Sequence, residues 1–232
     1  MPVPRTLVLF ARAPEPGQVK TRLAPLLGAD GAARLYRAFL EDAARAYGRA
    51  ADWAPVLAAD PAADHPLLQA LFASPWRRED QVSGDLGARL TAAFRSEAAR
   101  GARAILAVGS DHPALPHRLL LEAFRTVEDG RHAALIPAED GGYCAVALSR
   151  EVAPEGVFEE IPWSSPAVLE ATLERLARLG ASVSLLSTFY DVDRPEDVAR
   201  LARDLASRDP GGEDFPAATA KALRELAAEA AL

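Results

Sequence analysis

Short, unbroken apolar runs alternate along this chain with longer segments in which apolar residues recur every three or four positions. The runs fall at 6–10, 55–59, 104–108, 133–136, 144–148 and 183–186; their length and content of strand formers predict strands buried on both faces. The periodic segments at 31–50, 65–72, 86–100, 116–127, 166–179 and 195–207 predict helices. Such alternation is the pattern of an α/β doubly wound sheet with helices on both faces, a three-layer sandwich. The close pair 133–136 and 144–148, separated by Glu139, Asp140, Gly141 and Gly142, predicts a hairpin-type or edge excursion, and hence a mixed sheet. Asp209, Pro210, Gly211 and Gly212 form a breaker cluster before an Ala-rich helix at 215–232. The expected organisation is one domain over 1–208, with 209–232 as a linker and helix appended to it.

Composition narrows the function classes. With 232 residues the chain is long enough to bury a core without disulfides or a structural metal, and the single cysteine, Cys144, asks for no oxidising compartment. The N-terminal apolar run is too short for a membrane span and is followed by no signal-type cleavage site, so a cytoplasmic protein without membrane attachment is expected. The formal net charge is −7, and no basic run exceeds Arg77-Arg78, which argues against a nucleic-acid partner and for small-molecule partners. The only lysines are Lys20 and Lys221 among 26 basic residues.

In open α/β sheets ligands bind beyond the carboxyl ends of the strands, and five such loops carry unusual polar residues. The Gly/Pro-rich loop after the first run holds Arg12, Gly17, Lys20 and Arg22, and is either a polyphosphate-binding loop or a solvated basic one. It is not a Walker A loop. Asp111 ends the run 104–108 and reads as a Mg²⁺ ligand or a turn aspartate. Asp191 and Asp193 flank one residue and could share a cation, while Asp193 also reads as a helix N-cap before Pro195 and Glu196. Ser83, Gly84, Asp85 and Arg89 open a helix whose free N–H groups suit an anion or a base edge; Ser83 or Asp85 equally suits an ordinary cap. Asp140, Gly141, Gly142 and Tyr143 form a turn, and Trp163, Ser164 and Ser165 precede a helix. The four histidines, His65, His112, His117 and His132, lack zinc-site spacing.

In this order the motifs Arg-x-Pro-x-Pro-Gly-x-Val-Lys-Thr-Arg-Leu, Gly-Asp-Leu-Gly-x-Arg, Gly-Ser-Asp-x-Pro-x-Leu, Asp-Gly-Gly-Tyr, Trp-Ser and Asp-Val-Asp-x-Pro-x-Asp resemble the DUF2064 family, also called the radical-SAM/selenodomain-associated transferase 1 family. It belongs to the nucleotide-diphospho-sugar transferase (GT-A) superfamily. The resemblance runs from about 7 to 202. The Lys-Thr-Arg-Leu segment is also similar to that of phospholactate guanylyltransferases and, more distantly, molybdenum cofactor guanylyltransferases. The resemblance implies a Rossmann-like GT-A fold, and a Mg²⁺ or Mn²⁺ ion held by Asp111 with Asp191 or Asp193. It implies that Arg12, Lys20 and Arg22 contact nucleotide phosphates and that 83–89 lines the base and ribose pocket. It also implies that the 140–143 turn and 163–165 face the acceptor. The base loop departs from that of the guanylyltransferases, so base identity does not carry over.

Two enzyme readings share this site. In nucleotidyl transfer an already ionised phosphate acceptor attacks the α-phosphorus of a nucleoside triphosphate; catalysis is then positioning and charge neutralisation by Lys20, Arg22 and the ion on Asp111. In glycosyl transfer the ion holds a nucleotide sugar's diphosphate, and an inverting route needs a carboxylate base, for which Glu139 and Asp140 are candidates. The cation-rich loop favours nucleotidyl transfer. A non-catalytic nucleotide-binding protein is the reading from a different class.

Overall fold

Consecutive residues of the first strand, β1 (Arg5–Arg12), alternate between two apolar cores: Leu7, Leu9 and Ala11 enter one, Val8 and Phe10 the other. A strand with this two-sided pattern must be covered on both faces. The computed structural model, which describes residues 4–49 and 52–230, shows that covering. The first three residues, the end of the expected helix 31–50 and the last two residues of the expected helix 215–232 lie outside the described residues.

β1 is followed by a 3₁₀ turn (Thr21–Leu23) and α1 (Ala24–Gly48). Then come β2 (Ala54–Asp60), α2 (Pro66–Leu71), β3 (Arg77–Asp80), α3 (Leu86–Ala99) and β4 (Ala104–Gly109). The second half runs α4 (His117–Thr126), β5 (His132–Pro137), β6 (Tyr143–Ser149), α5 (Val168–Arg178), β7 (Ser182–Leu185), α6 (Pro195–Ala206) and α7 (Ala217–Ala230). The seven strands form one sheet in the order β3-β2-β1-β4-β6-β5-β7. Leu35 and Phe39 of α1, Leu68 of α2, Leu120 of α4, Leu201 of α6 and Leu226 of α7 pack on one face. Leu90 and Phe94 of α3 and Leu176 of α5 pack on the other. This is the expected three-layer mixed-sheet α/β sandwich.

Three local departures from the sequence pattern have physical causes. The 133–148 hairpin is not an edge: β6 runs antiparallel between β4 and β5, and β7 closes that side of the sheet. Its run Cys144, Ala145, Val146, Ala147, Leu148 is buried throughout, which suits an interior strand with both ladders filled. β3 consists of Arg77, Arg78, Glu79 and Asp80 and so carries no apolar signal, yet it pairs in parallel with β2 as the opposite edge. Arg77 bonds Glu79 and the buried Glu97 of α3, so charge rather than burial holds this edge and also blunts it against pairing with other chains. Finally, α1 starts about two turns earlier than the periodicity predicts, its first turn beginning at Ala24 rather than at Gly31. Gly28 (φ 71°, ψ 167°) breaks that first turn from the remainder, a backbone conformation that a glycine adopts without a Cβ clash.

The terminal helix packs on α1 of the same chain. Its free N–H groups at Ala218 and Thr219 donate to the buried carboxylate of Asp42 on α1, at 3.0 and 2.7 Å. Burial raises the Asp42 pKa, opposed by these donors and by Arg45. Asp42→Ala would leave the buried Thr219 N–H and the half-buried Ala218 N–H without their charged acceptor, and is expected to cost about 2 kcal/mol of stability. A thermal melt indistinguishable from the wild type would contradict this. Among the described residues no helix is long and apolar enough to cross a membrane.

Candidate functional site

From β1 the chain moves outward through β2 to β3 and then returns to place β4 on the other side of β1. The carboxyl ends of β1 and β4 therefore diverge, and a crevice opens between their loops. It is a cleft of about 640 Å³ with Lys20, Asp111 and Asp193 on one side, Ser110 between, and Arg12, Asp60 and Arg89 on the other.

At its centre, Lys20 Nζ lies 2.7 Å from Asp111 Oδ1 and 3.2 Å from Asp193 Oδ1. The Lys20 side chain is 3% exposed, and its ammonium stands 6.0 Å above the ring of Phe39. Its backbone is left-handed (φ 47°), an uncommon conformation for a residue other than glycine. Arg22 Nη1 takes the other oxygen of Asp193 at 2.7 Å. Burial alone would raise the Asp193 pKa; Lys20 and Arg22 hold it below the ordinary value. Asp193 does not cap α6. Arg194 occupies the cap position, and Asp197 accepts the N–H groups of Asp193 (3.0 Å) and Arg194 (2.7 Å), so the Asp193 carboxylate is free for the cations.

The other end of the cleft is organised by residues that the sequence reading did not select. Asp60, at the end of β2, binds Arg12 Nε at 3.2 Å and Arg89 Nη1 at 3.3 Å. Gln81 locks Arg89 further: its Oε1 accepts from Arg89 Nη1 at 2.9 Å while its Nε2 donates to the Ala58 carbonyl at 2.9 Å. Tyr36 of α1 accepts the Arg12 N–H at 3.0 Å and pairs with Ser110 Oγ at 2.8 Å, which ties the ends of β1 and β4 together. Burial, then the Asp111 charge, raises the Tyr36 pKa, so it remains a neutral hydroxyl. Asp60 was findable: it is a carboxylate ending an apolar run, the same signal that marked Asp111. Tyr36 carries no such mark within its helix.

The structure thus brings Arg12, Lys20, Arg22, Arg89, Asp111 and Asp193 into one cleft. Gly17 (φ 76°) and the exposed Ser83, Gly84 and Asp85 do not line it directly. Asp85 is the cap of α3, accepting the Ala88 N–H at 2.8 Å, which commits one of its carboxylate oxygens to the helix. Asp191 also stands outside the lining; burial raises its pKa, and the charges of Asp140 and Asp193 add to that effect.

The 140–143 turn and the 163–165 segment meet each other in a second patch. Gly141 accepts the Leu169 N–H at 2.9 Å, the Gly142 N–H donates to Asp140 Oδ1 at 2.9 Å, and the rings of Tyr143 and Trp163 are 6.4 Å apart, edge to face. Ser164 is left-handed (φ 63°) and exposed. Trp163 also abuts Gly87 at the start of α3, linking this patch to the 83–89 segment. Gly141 has φ 92°, and a Cβ there would overlap the Pro166 carbonyl. Gly141→Ala is therefore expected to cost about 2 kcal/mol in strain and to displace this patch. Unaltered thermal stability would show that the turn relaxes freely.

A divalent ion at this site is compatible with the side chains present. Among the described residues no three His, Cys, Asp or Glu side chains converge on one point. Mg²⁺ does not require such a cage, since it takes one or two carboxylates with phosphate oxygens and water. Asp111 and Asp193 already share one cation, the Lys20 ammonium, and the Asp111 side chain is 43% exposed to the cleft.

The family described as "Uncharacterized protein conserved in bacteria (DUF2064)" matches residues 33–165, more than half of the chain. No curated protein matches it. Among solved structures, a provisionally named nucleotide-diphospho-sugar transferase from Desulfovibrio desulfuricans is 30% identical, with a TM-score of 0.87 over 97% of this chain and 95% of that one. The 4-diphosphocytidyl-2C-methyl-D-erythritol synthase of Anaerococcus prevotii is 12% identical, with a TM-score of 0.60 over 88% of this chain and 96% of that one. A cytidylyltransferase from Leptospira borgpetersenii is 10% identical, with a TM-score of 0.57 over 99% and 96%. The last two likenesses are of fold.

Proposed function

The chain belongs to the DUF2064 family, and from that premise we propose that it is a nucleotide-dependent transferase acting by nucleotidyl transfer from a nucleoside triphosphate to a small phosphorylated acceptor. The observation that carries this reading is the set of four cations, Arg12, Lys20, Arg22 and Arg89, gathered with three carboxylates at the β1/β4 crevice. A triphosphate supplies the negative charge that such a cleft lacks.

In this reading Arg12 and Arg22, both exposed at the mouth, hold the β- and γ-phosphates. The exposed side chains of Val82 and Leu86 give the base an apolar surface beside 83–89. Asp111 and Asp193 would hold Mg²⁺ or Mn²⁺, which when bound neutralises charge on the phosphates. The acceptor approaches from the side of Asp140, Tyr143, Trp163 and Ser164. An acceptor phosphate oxygen forms a bond to the α-phosphorus, the bond from that phosphorus to the bridging oxygen breaks, and pyrophosphate leaves with the electron pair. The acceptor is already ionised, so no protein base is required.

Glycosyl transfer from a nucleotide-diphospho-sugar is the second reading, favoured by the name of the 30% identical relative. Product analysis separates the two. The protein is incubated with Mg²⁺ or Mn²⁺, pooled nucleoside triphosphates and nucleotide sugars, and a library of phosphorylated and hydroxylated acceptors, and the products are identified by mass spectrometry. Pyrophosphate with a nucleotidyl conjugate is the expected result. A nucleoside diphosphate with a glycosylated acceptor would replace the first reading with the second.

A further inference from the structure

The Lys20 ammonium occupies a position with a specific electrostatic meaning. It is buried between one oxygen of Asp111 and one of Asp193, at 2.7 and 3.2 Å, on a base of Phe39. Two carboxylates drawn this close repel one another unless a cation lies between them. Asp111 follows β4, Asp193 precedes α6, and the Val192 N–H donates to the Asp111 carbonyl at 3.0 Å, so the backbone also holds the two segments together. The pair is therefore assembled before any ligand arrives, with a lysine as its counter-ion. Asp193 has a second cation, Arg22, at 2.7 Å, and does not depend on Lys20 alone.

We infer that Lys20 is an exchangeable counter-ion: it holds Asp111 and Asp193 in position, and a divalent cation entering the cleft takes its place between them, freeing the ammonium to turn outward to the phosphates. A doubly charged ion is attracted to the two carboxylates more strongly than a singly charged ammonium at the same point. The displaced ammonium then gains a new anionic partner only when a nucleotide is bound. Ion and lysine thus compete for the carboxylates in the empty protein and act on the same phosphates in the loaded one. Lys20 is in this sense a positioning residue for the carboxylate pair as well as a phosphate ligand. The inference rests on the proposed use of a divalent ion at this pair, and its test reads the protein without nucleotide or acceptor.

The composition offers a direct measurement, because Lys20 and Lys221 are the only lysines. Lys221 is 71% exposed and serves as an internal reference. The wild-type protein is treated with an amine-acylating reagent at increasing Mn²⁺, labelling at each lysine is quantified by mass spectrometry, and bound Mn²⁺ is followed by electron paramagnetic resonance. Labelling of Lys20 is expected to rise several-fold over the range in which Mn²⁺ binds, with Lys221 constant. In Lys20→Met, whose fold is checked by circular dichroism, Mn²⁺ is expected to bind at least about ten-fold more tightly, and adding Asp111→Asn should abolish that gain.

Constant Lys20 labelling while Mn²⁺ binds would overturn the inference, as would the absence of Mn²⁺ binding, or a gain that survives Asp111→Asn. Outcomes for the two proposals separate cleanly. Nucleotidyl transfer by a protein whose Lys20 ignores Mn²⁺ removes only the exchange. Lys20 exposure by Mn²⁺ in a protein that makes no nucleotidyl product removes only the reaction.

Discussion

Asp111→Asn is expected to lower kcat by about a thousand-fold while leaving the protein folded. The substitution keeps the side-chain volume and removes the charge. Asp111 is 43% exposed and contributes no apolar packing, so the core does not register the change. Lys20 keeps Asp193 as a partner at 3.2 Å and is not left as an uncompensated buried charge. What is lost, in the proposed reaction, is one of the two carboxylates that would hold the divalent ion, and with it the charge neutralisation that the ion would supply to the phosphates in the transition state. Steady-state kinetics with thermal melts of both proteins tests this: an active Asp111→Asn variant would remove the metal assignment, and an unfolded one would show that Asp111 is structural.

Phe39→Ala is expected to reduce stability by about 3–5 kcal/mol, the range for emptying a fully buried phenylalanine site. Phe39 has no exposure and lies at the centre of the larger core. At this chain length such a loss lowers the melting temperature by about 6–20 °C. The effect extends to the cleft because of what rests on the ring: Lys20 Nζ stands 6.0 Å above it, and the ring of Tyr36 meets it edge to face at 6.4 Å. Tyr36 in turn ties Arg12 to Ser110. Phe39→Leu, which keeps most of the volume, should recover most of the stability. A melting temperature equal to that of the wild type in Phe39→Ala would mean that α1 collapses onto the sheet without a cavity.

The parts of the fold legible in the chain are those where burial alone decides. Strands β1, β2, β4, β5 and β6 are apolar runs because both of their faces are covered, and α3 to α6 show one apolar stripe because one face is covered. β3 escaped notice because its four residues are all charged; only its pairing with β2 and its ion pairs with α3 define it as a strand. The first turn of α1 was hidden by Pro25 and by the break at Gly28. At α7 the local sequence predicts a helix, but its N-terminal donors are satisfied by Asp42 from another helix, a contact that no reading of neighbouring residues reveals.

The candidate site divides in the same way. Lys20, Asp111 and Asp193 stand out because they are rare or charged residues in the loops that follow apolar runs, and in an open α/β sheet such loops face the crevice. That Lys20 lies between the two aspartates, with 173 positions of chain separating it from Asp193, follows only from the strand order that places β1 beside β4. The same closeness removes the helix cap as the role of Asp193: Asp197 takes the backbone donors and leaves the Asp193 carboxylate to Lys20 and Arg22. Asp60, Gln81 and Tyr36 entered the site for the same reason. Hydrophobic periodicity and turn chemistry are local quantities, so the sequence by itself determined the layers, most of the elements and the loops where chemistry gathers. Charge pairing depends on distance in space, so only the tertiary structure decided which cation faces which carboxylate.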